Sequence, residues 1–156
     1  MTRSLLAVLA VSLSACGHAA HLSGGIPPQL RPENAGTTGT LAVHVLGLPS
    51  VRGQLFVELY DRASYFSYQL VQNEQIVPVT AAEMTVVLEH VPAGRYAAVA
   101  SQDANANGEL DTGIFGIPLE AYGFSRDARG ALGPPDFEAA AFDFDGTAAT
   151  VDVTVR

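Results

Sequence analysis

Oxygen-bearing side chains recur at every second position in the nine-residue stretch DANANGELD, residues 103–111. A glycine stands at its sixth position, where a calcium loop needs a sharp turn. Ca²⁺ takes about six to eight oxygen ligands, and a loop supplies them best when alternate side chains point inward. The stretch therefore predicts a calcium-binding loop. Its predicted oxygen donors are Asp103, Asn105, Asn107, Glu109 through its backbone carbonyl, and Asp111.

The stretch matches only the first part of the EF-hand loop pattern, D-x-[DN]-x-[DN]-G. Position twelve, where that pattern places a bidentate glutamate, is Ile114, and a strand pattern precedes Asp103 where an EF-hand has a helix. A calcium loop between strands therefore needs a carboxylate from elsewhere. Glu120 is the first candidate because the segment GIFGIPLE can fold back over the loop, and Asp143 and Asp145 are weaker candidates.

A polar turn is the alternative interpretation of the same stretch. Asn-Gly is a turn signal by itself, and Asn and Asp side chains hydrogen-bond to their own backbone. Agreement at four liganding positions and the glycine favours the calcium loop. Zinc and copper are disfavoured because the loop has no histidine or cysteine, and ligand sets made only of oxygen suit calcium, magnesium or manganese.

The segments around the loop alternate apolar and polar residues with a period of two, which indicates half-buried strands. Such segments are LAVHVL, GQLFVELYD, MTVVLEHV, RYAAVASQ, FEAAAFDF and TAATVDVTV. QIVPVT is predicted as an edge strand because Pro78 removes a ladder donor. Asp145-Gly146 predicts a two-residue hairpin between the last two segments, with Ala149, Val151, Val153 and Val155 facing inward. The pattern predicts an all-β sandwich of about seven strands.

The amino terminus predicts export and a lipid anchor. In residues 1–15, Arg3 precedes the apolar run LLAVLAVSL, which is shorter than the roughly 20 residues of a membrane-spanning helix. The sequence Leu-Ser-Ala-Cys that ends at Cys16 resembles the bacterial lipobox, and Cys16 is the predicted lipidation site. Residues 16–38 are rich in Gly, Pro and small polar residues, as in a flexible linker. Residues 39–156 are the predicted β-sandwich domain.

Composition excludes several classes of function. The formal net charge is −8, and all eight basic residues are arginine. Nucleic acid is not an expected partner, because no basic stripe is present to neutralise phosphates. No G-x-S-x-G elbow, H-E-x-x-H motif or P-loop occurs, so we expect no enzymatic activity. His44 and His90 lie in strand patterns and have no evident partner in the sequence.

One long connection, GIPLEAYGFSRDARGALGPPDF, carries few strand signals. Long ordered loops in compact domains are often functional. Tyr122 and Phe124 form either an exposed aromatic contact surface or a plug at the end of the sandwich. Arg126 and Arg129 either pair with carboxylates or bind an anionic ligand, or they are solvated surface charges.

Three segments, GRYAAVASQDANANGELD, GIFGIPLEAYGFS and GPPDFEAAAF, occur in this order. In this they resemble the bacterial domain-of-unknown-function family 2141 (DUF2141) over about residues 39–156. The resemblance implies an exported β-sandwich, similar in layout to transthyretin-like and immunoglobulin-like modules, and it implies no activity. Such proteins often have histidine before the first aspartate of the loop, where this chain has Gln102.

The sequence thus leads to the hypothesis of a lipid-anchored protein of the bacterial cell envelope, at the outer membrane and facing the periplasm or the surface. Its β-sandwich, stabilised by Ca²⁺, would bind a protein or glycan partner as an accessory module. Two alternatives remain. One is a metal-dependent hydrolase that uses the acidic loop, with Glu120 as general base. The other is a purely structural envelope protein.

Overall fold

The computed structural model describes residues 36–65, 72–108, 111–113, 118–131 and 133–156. The predicted signal sequence, the lipidation site Cys16, almost all of the linker, and Glu109 of the loop lie outside the described residues. Within those residues, no helix has the length and apolar character needed to cross a membrane.

The described residues form eight strands and one short helix, which confirms the predicted all-β fold. The strands are β1 Thr38–Leu46, β2 Gln54–Tyr60, β3 Asn73–Pro78, β4 Met84–Pro92, β5 Gly94–Asp103, β6 Tyr122–Phe124, β7 Phe142–Phe144 and β8 Ala148–Thr154. The helix, α1 Phe137–Ala140, lies between β6 and β7.

Two sheets pack against each other. The smaller has the order β4-β1-β8, and the larger has the order β3-β2-β5-β6, with β7 also paired to β5. Strands β1 and β8 are parallel, while the other pairs are antiparallel. The edge position predicted for QIVPVT is confirmed, because β3 lies at the edge of the larger sheet with Pro78 at its end.

The core follows from the period of two. Leu41, Val43 and Val45 of β1 are fully buried, and they meet the buried alternate residues of β2 and β5 across the sandwich. A second, smaller cluster lies on the other face of β5, where Phe124 and Phe137 pack around Ala97. Helix α1 covers this face. In both clusters, burying a whole aliphatic side chain contributes about 1.5–3 kcal/mol to the free energy of unfolding.

Two predictions about the carboxyl-terminal part were wrong. The segment FEAAAFDF does not form one strand: its first half is α1, which buries Phe137 and Ala140 on one face because they lie three residues apart. Asp145-Gly146 does not close a hairpin, since β7 pairs with β5 and β8 pairs with β1. Gly146, with φ +81°, instead turns the chain from one sheet to the other.

The predicted inward face of the last strand is only partly correct. Val153 and Val155 are buried, whereas Val151 is partly buried and Ala149 is exposed. Ala149 pairs with the fully buried Leu41, and its exposure goes with the position of β8 at the edge of the smaller sheet.

Strand β6, which lies in the predicted long connection, joins the two sheets. It pairs with β5, and the backbone of Tyr122 also exchanges two hydrogen bonds with Arg156, at 3.1 and 3.2 Å. The chains approach so closely that a Cβ on Gly123 would lie 2.2 Å from the carbonyl oxygen of Thr154. Only glycine fits there without a shift of backbone. No sign of β6 is visible in the sequence because its three residues are too few to show the alternation of a strand.

Candidate functional site

The predicted calcium loop begins where β5 ends. Asp103, the last residue of β5, is 2% exposed although it is an acid. Its Oδ1 accepts a hydrogen bond from the backbone N–H of Asn107 at 3.2 Å, and its Oδ2 accepts one from Gly108 at 2.7 Å. Gly108 has φ +82°, which costs glycine little. The Asp103 carboxylate therefore holds the loop in its curled shape.

Two amides of the loop converge on one carboxylate. Asn105 Nδ2 lies 2.6 Å from Asp111 Oδ2, and Asn107 Nδ2 lies 3.1 Å from Asp111 Oδ1. Asn105 also accepts, through its Oδ1, a hydrogen bond from the backbone N–H of Asn107 at 2.9 Å. The two amide nitrogens therefore donate to the Asp111 carboxylate, and these three side chains form a hydrogen-bonded turn.

Glu120 closes the loop from the other side. Its Oε1 accepts from the backbone N–H of Ala104 at 2.8 Å, and its Oε2 accepts from that of Asp111 at 3.2 Å. One side chain thus fastens both ends of the loop. The structure therefore brings Glu120 to the loop, together with Asp103, Asn105, Asn107 and Asp111.

The two weaker candidates lie elsewhere. Asp143 faces Arg95 at the beginning of β5 and accepts a hydrogen bond from its guanidinium at 2.9 Å. That position is eight residues before Asp103, or roughly 25 Å along a strand. Asp145 accepts hydrogen bonds from Thr147 in the next turn. Neither carboxylate is a neighbour of the loop.

The donor set of the loop suits a hard cation. Within the described part of the chain, no group of three or more His, Cys, Asp or Glu side chains is placed to hold a metal ion. The fit therefore depends on the amide oxygens of Asn105 and Asn107 as well as on carboxylates. Each carboxylate oxygen that accepts one N–H keeps a second lone pair. An all-oxygen set of amides and carboxylates is typical of calcium sites and not of zinc sites.

Gln102 holds the neighbouring loop between β1 and β2. The side chain is 1% exposed, and its Nε2 donates to the carbonyl oxygens of Ser50 and Arg52, both at 2.8 Å. Its Oε1 has no hydrogen-bond partner among the described residues. The sequence showed Gln102 only as a departure from a family pattern, and nothing local to it indicated the contact 50 residues away.

His44 has two partners that were not evident in the sequence. Its Nδ1 lies 3.1 Å from Asp152 Oδ1, and its Nε2 lies 2.8 Å from Glu83 Oε1. A neutral imidazole carries one N–H, so only the protonated ring donates to both carboxylates. The hydrogen bond to Asp152 and then the contact with Glu83 raise the pKa of His44. With both nitrogens engaged, the ring has none left to activate a nucleophile.

Replacing His44 with glutamine is expected to lower stability more at about pH 5.5 than at about pH 8.5. The folded pKa lies above the unfolded value, so the contribution of the imidazolium is complete below that unfolded value and is lost as pH rises through the folded pKa. Urea unfolding of both proteins across this range measures the difference.

The matched control is His90→Asn. The His90 side chain is exposed and has no hydrogen bond or ion pair among the described residues, and asparagine tolerates its φ of +58°. We expect the effect of this change to vary little between the two pH values. A loss of stability in His44→Gln that is equal at both ends of the range would contradict the prediction.

The chain was compared with known proteins. The model of a family described as "Uncharacterized protein conserved in bacteria (DUF2141)" matches residues 43–152. The match begins within β1 and ends within β8, so it includes the loop and Glu120. No curated protein matches the chain, and no solved structure does.

Proposed function

The chain belongs to the DUF2141 family of bacterial proteins, and we propose that it is a lipid-anchored envelope protein with a calcium-stabilised β-sandwich. The sandwich acts as a binding or accessory module toward a protein or glycan partner. The observation behind the calcium part of the proposal is that the loop brings the amide groups of Asn105 and Asn107 together with the carboxylate of Asp111, to which both amides donate. Glu120 bridges the ends of the same loop.

Calcium would be held by the side chains of this loop and would supply charge neutralisation there. Asp103, Asp111 and Glu120 each bring a carboxylate to the loop, where N–H groups of the loop donate to them. A divalent cation would neutralise part of the negative charge that these side chains bring. The backbone carbonyl of Glu109 is a further donor in the proposal. Stabilisation of the fold is the expected result, since the ion binds only where the loop is formed.

The anchor is proposed from the sequence. A short apolar run ends in Leu-Ser-Ala-Cys, and Cys16 is the only cysteine of the chain. A lipid on Cys16 would hold the domain at a membrane surface, and the linker would separate the two. Outer-membrane attachment facing the periplasm or the surface is the proposed location.

The geometry of Glu120 favours a binding module over the metal-dependent hydrolase. Both oxygens of this carboxylate accept backbone N–H groups, from Ala104 and Asp111. A general base must reach the proton that it removes. A carboxylate fixed on two backbone N–H groups instead serves to close the loop.

Thermal and urea unfolding of the intact chain, with calcium and with chelator, tests the proposal. Calcium at about one hundred times the dissociation constant is expected to raise the free energy of unfolding by about 2.7 kcal/mol. Asn107→Ala removes one proposed ligand and should require about tenfold more calcium for the same shift. Asn73→Ala, in β3 and away from the loop, is the matched control and should respond as the wild type does. A wild-type chain indifferent to millimolar calcium would contradict the proposal.

A further inference from the structure

A cavity of about 140 Å³ lies beside β6, at the side of the sandwich where the two sheets are joined. The loop that follows β6 forms one wall, and the end of β8 forms another. The lining includes Tyr122, Gly123, Asp127, Arg129 and Arg156. The proposed calcium loop uses none of these residues.

Two arginines of the cavity share one carboxylate. Arg129 Nη2 lies 3.1 Å from Asp127 Oδ1, and Arg156 Nη2 lies 3.2 Å from the same oxygen. Two guanidinium groups thus share one side-chain carboxylate in a chain whose formal net charge is −8. The cavity gathers two of the eight basic residues of the chain, and guanidinium groups attract anions.

The guanidinium groups have donors to spare. Each carries five N–H groups and uses one nitrogen on Asp127. The side chains of Arg129, Asp127 and Arg156 are 54%, 54% and 51% exposed, so a ligand can reach them. Arginine binds carboxylates, like phosphates, through paired, charge-assisted hydrogen bonds, so these donors can hold a carboxylate.

The backbone before the cavity is strained. Arg126 and Asp127 have φ values of +61° and +52°, in the left-handed region that residues with a side chain seldom adopt. The guanidinium of Arg126 donates to the carbonyl oxygen of Ala141 at 3.0 Å and holds this turn in place. The turn brings Asp127 between the two arginines. Strain of this kind is concentrated at ligand-binding sites.

An aromatic ring completes the lining. Tyr122 is 36% exposed, and Phe124, which is buried, packs edge-on against it with the ring centroids 6.0 Å apart. The two aromatic residues were predicted to form either an exposed surface or a plug. Phe124 fills the small core, whereas Tyr122 is left at the surface. A fixed tyrosine ring offers an apolar body and a polar tip to a ligand.

We propose that this cavity binds the carboxylate-bearing ring of a sugar acid, such as a hexuronic acid residue. The carboxylate is held by Arg129 and Arg156, a hydroxyl donates to Asp127, and the ring lies against Tyr122. The cavity, at about 140 Å³, is close to the volume that admits benzene, so it holds part of a sugar ring and the rest of the ring lies in solvent. The inference rests on the proposed binding role, to which it assigns a ligand class, and does not depend on calcium.

Titration of the intact chain with glucuronate, followed by amide NMR shifts and calorimetry, tests the inference. Saturable binding is expected, with the largest shifts at Tyr122, Gly123 and Gly130. Arg129→Gln should weaken binding about tenfold or more, because it removes a charge-assisted pair. Arg52→Gln makes the same charge change at an exposed arginine outside the cavity and should leave the affinity unchanged. Far-UV circular dichroism checks that both variants are folded, as expected for exposed ion pairs.

Neutral glucose should not bind, and acetate should bind far more weakly than glucuronate. Acetate that binds as well as glucuronate would reduce the site to a general anion site and overturn the inference. An affinity that Arg129→Gln leaves unchanged, or that Arg52→Gln lowers equally, would also overturn it. Titration with calcium and with chelator separates the two proposals: glucuronate binding by a chain that calcium does not stabilise supports the cavity and contradicts the calcium loop. Calcium stabilisation without glucuronate binding supports the calcium loop and contradicts the cavity.

Discussion

Replacing Asp103 with alanine is expected to lower the free energy of unfolding by about 2 kcal/mol without calcium and by about 5 kcal/mol in a hundredfold excess of calcium. The first part is the loss of two charge-assisted hydrogen bonds, to the backbone N–H groups of Asn107 and Gly108. The second part is the loss of the calcium shift, since the variant lacks both a ligand and the bonds that shape the loop. Urea unfolding at both calcium levels measures the two parts separately.

Asp136→Ala is the matched control for this prediction. Asp136 is exposed and its side chain makes no capping hydrogen bond to α1, so its removal changes the charge equally and should alter stability by less than about 0.5 kcal/mol. It should keep the full response to calcium. If Asp103→Ala unfolds at the same urea concentration as wild type when chelator is present, the carboxylate does not hold the loop. A calcium shift retained in Asp103→Ala would remove this residue from the ion site.

Replacing Gly123 with alanine is expected to lower the free energy of unfolding by about 3 kcal/mol. The added methyl group would lie 2.2 Å from the carbonyl oxygen of Thr154, and the nearest atoms belong to backbone that cannot rotate away. Strand β6 must then move from β8. The two backbone hydrogen bonds between Tyr122 and Arg156, which join the sheets, should be lost with that movement.

Hydrogen exchange locates the effect of Gly123→Ala. The amides of Tyr122 and Arg156 should lose their protection, while those of β1 and β2 should open only with global unfolding. Gly36→Ala is the control: it also adds a methyl group to a glycine, but no atom of the described residues lies within 4 Å of that methyl group, and the φ of +77° opposes the change. That change should cost about 1–2 kcal/mol. Unchanged protection at Arg156 in Gly123→Ala would show that the sheets do not depend on this contact.

If both proposals hold, two neighbouring features of the larger sheet have different tasks. The loop after β5 stabilises the fold through an ion, whereas the cavity beside β6 recognises a ligand. The sites are connected along the chain, because Glu120 of the loop stands two residues before Tyr122 of the cavity. Calcium that orders the loop would also support β6. Coupling between the two sites would therefore appear as a change in the affinity for glucuronate when calcium is added.

The sequence by itself determined most of the strands and the spacing of the polar residues in the loop. Alternation of apolar residues placed Leu41, Val43 and Val45 on one face because successive side chains of a strand point to opposite sides. Pro78 marked an edge strand because it cannot donate to a ladder. The spacing of Asp103, Asn105 and Asn107 was visible for the same reason: these properties depend on neighbours within a few residues.

Only the tertiary structure decided which distant groups meet. Glu120 reaches the loop and Asp143 does not, although both are carboxylates of the same half of the chain. His44 contacts partners 39 and 108 residues away. Strand β8 pairs in parallel with β1, so it does not form the hairpin that Asp-Gly indicates. Strand pairing depends on which apolar faces bury each other across the whole domain. Short-range patterns do not contain that information, so the partners of a side chain emerge only when the sheets are packed.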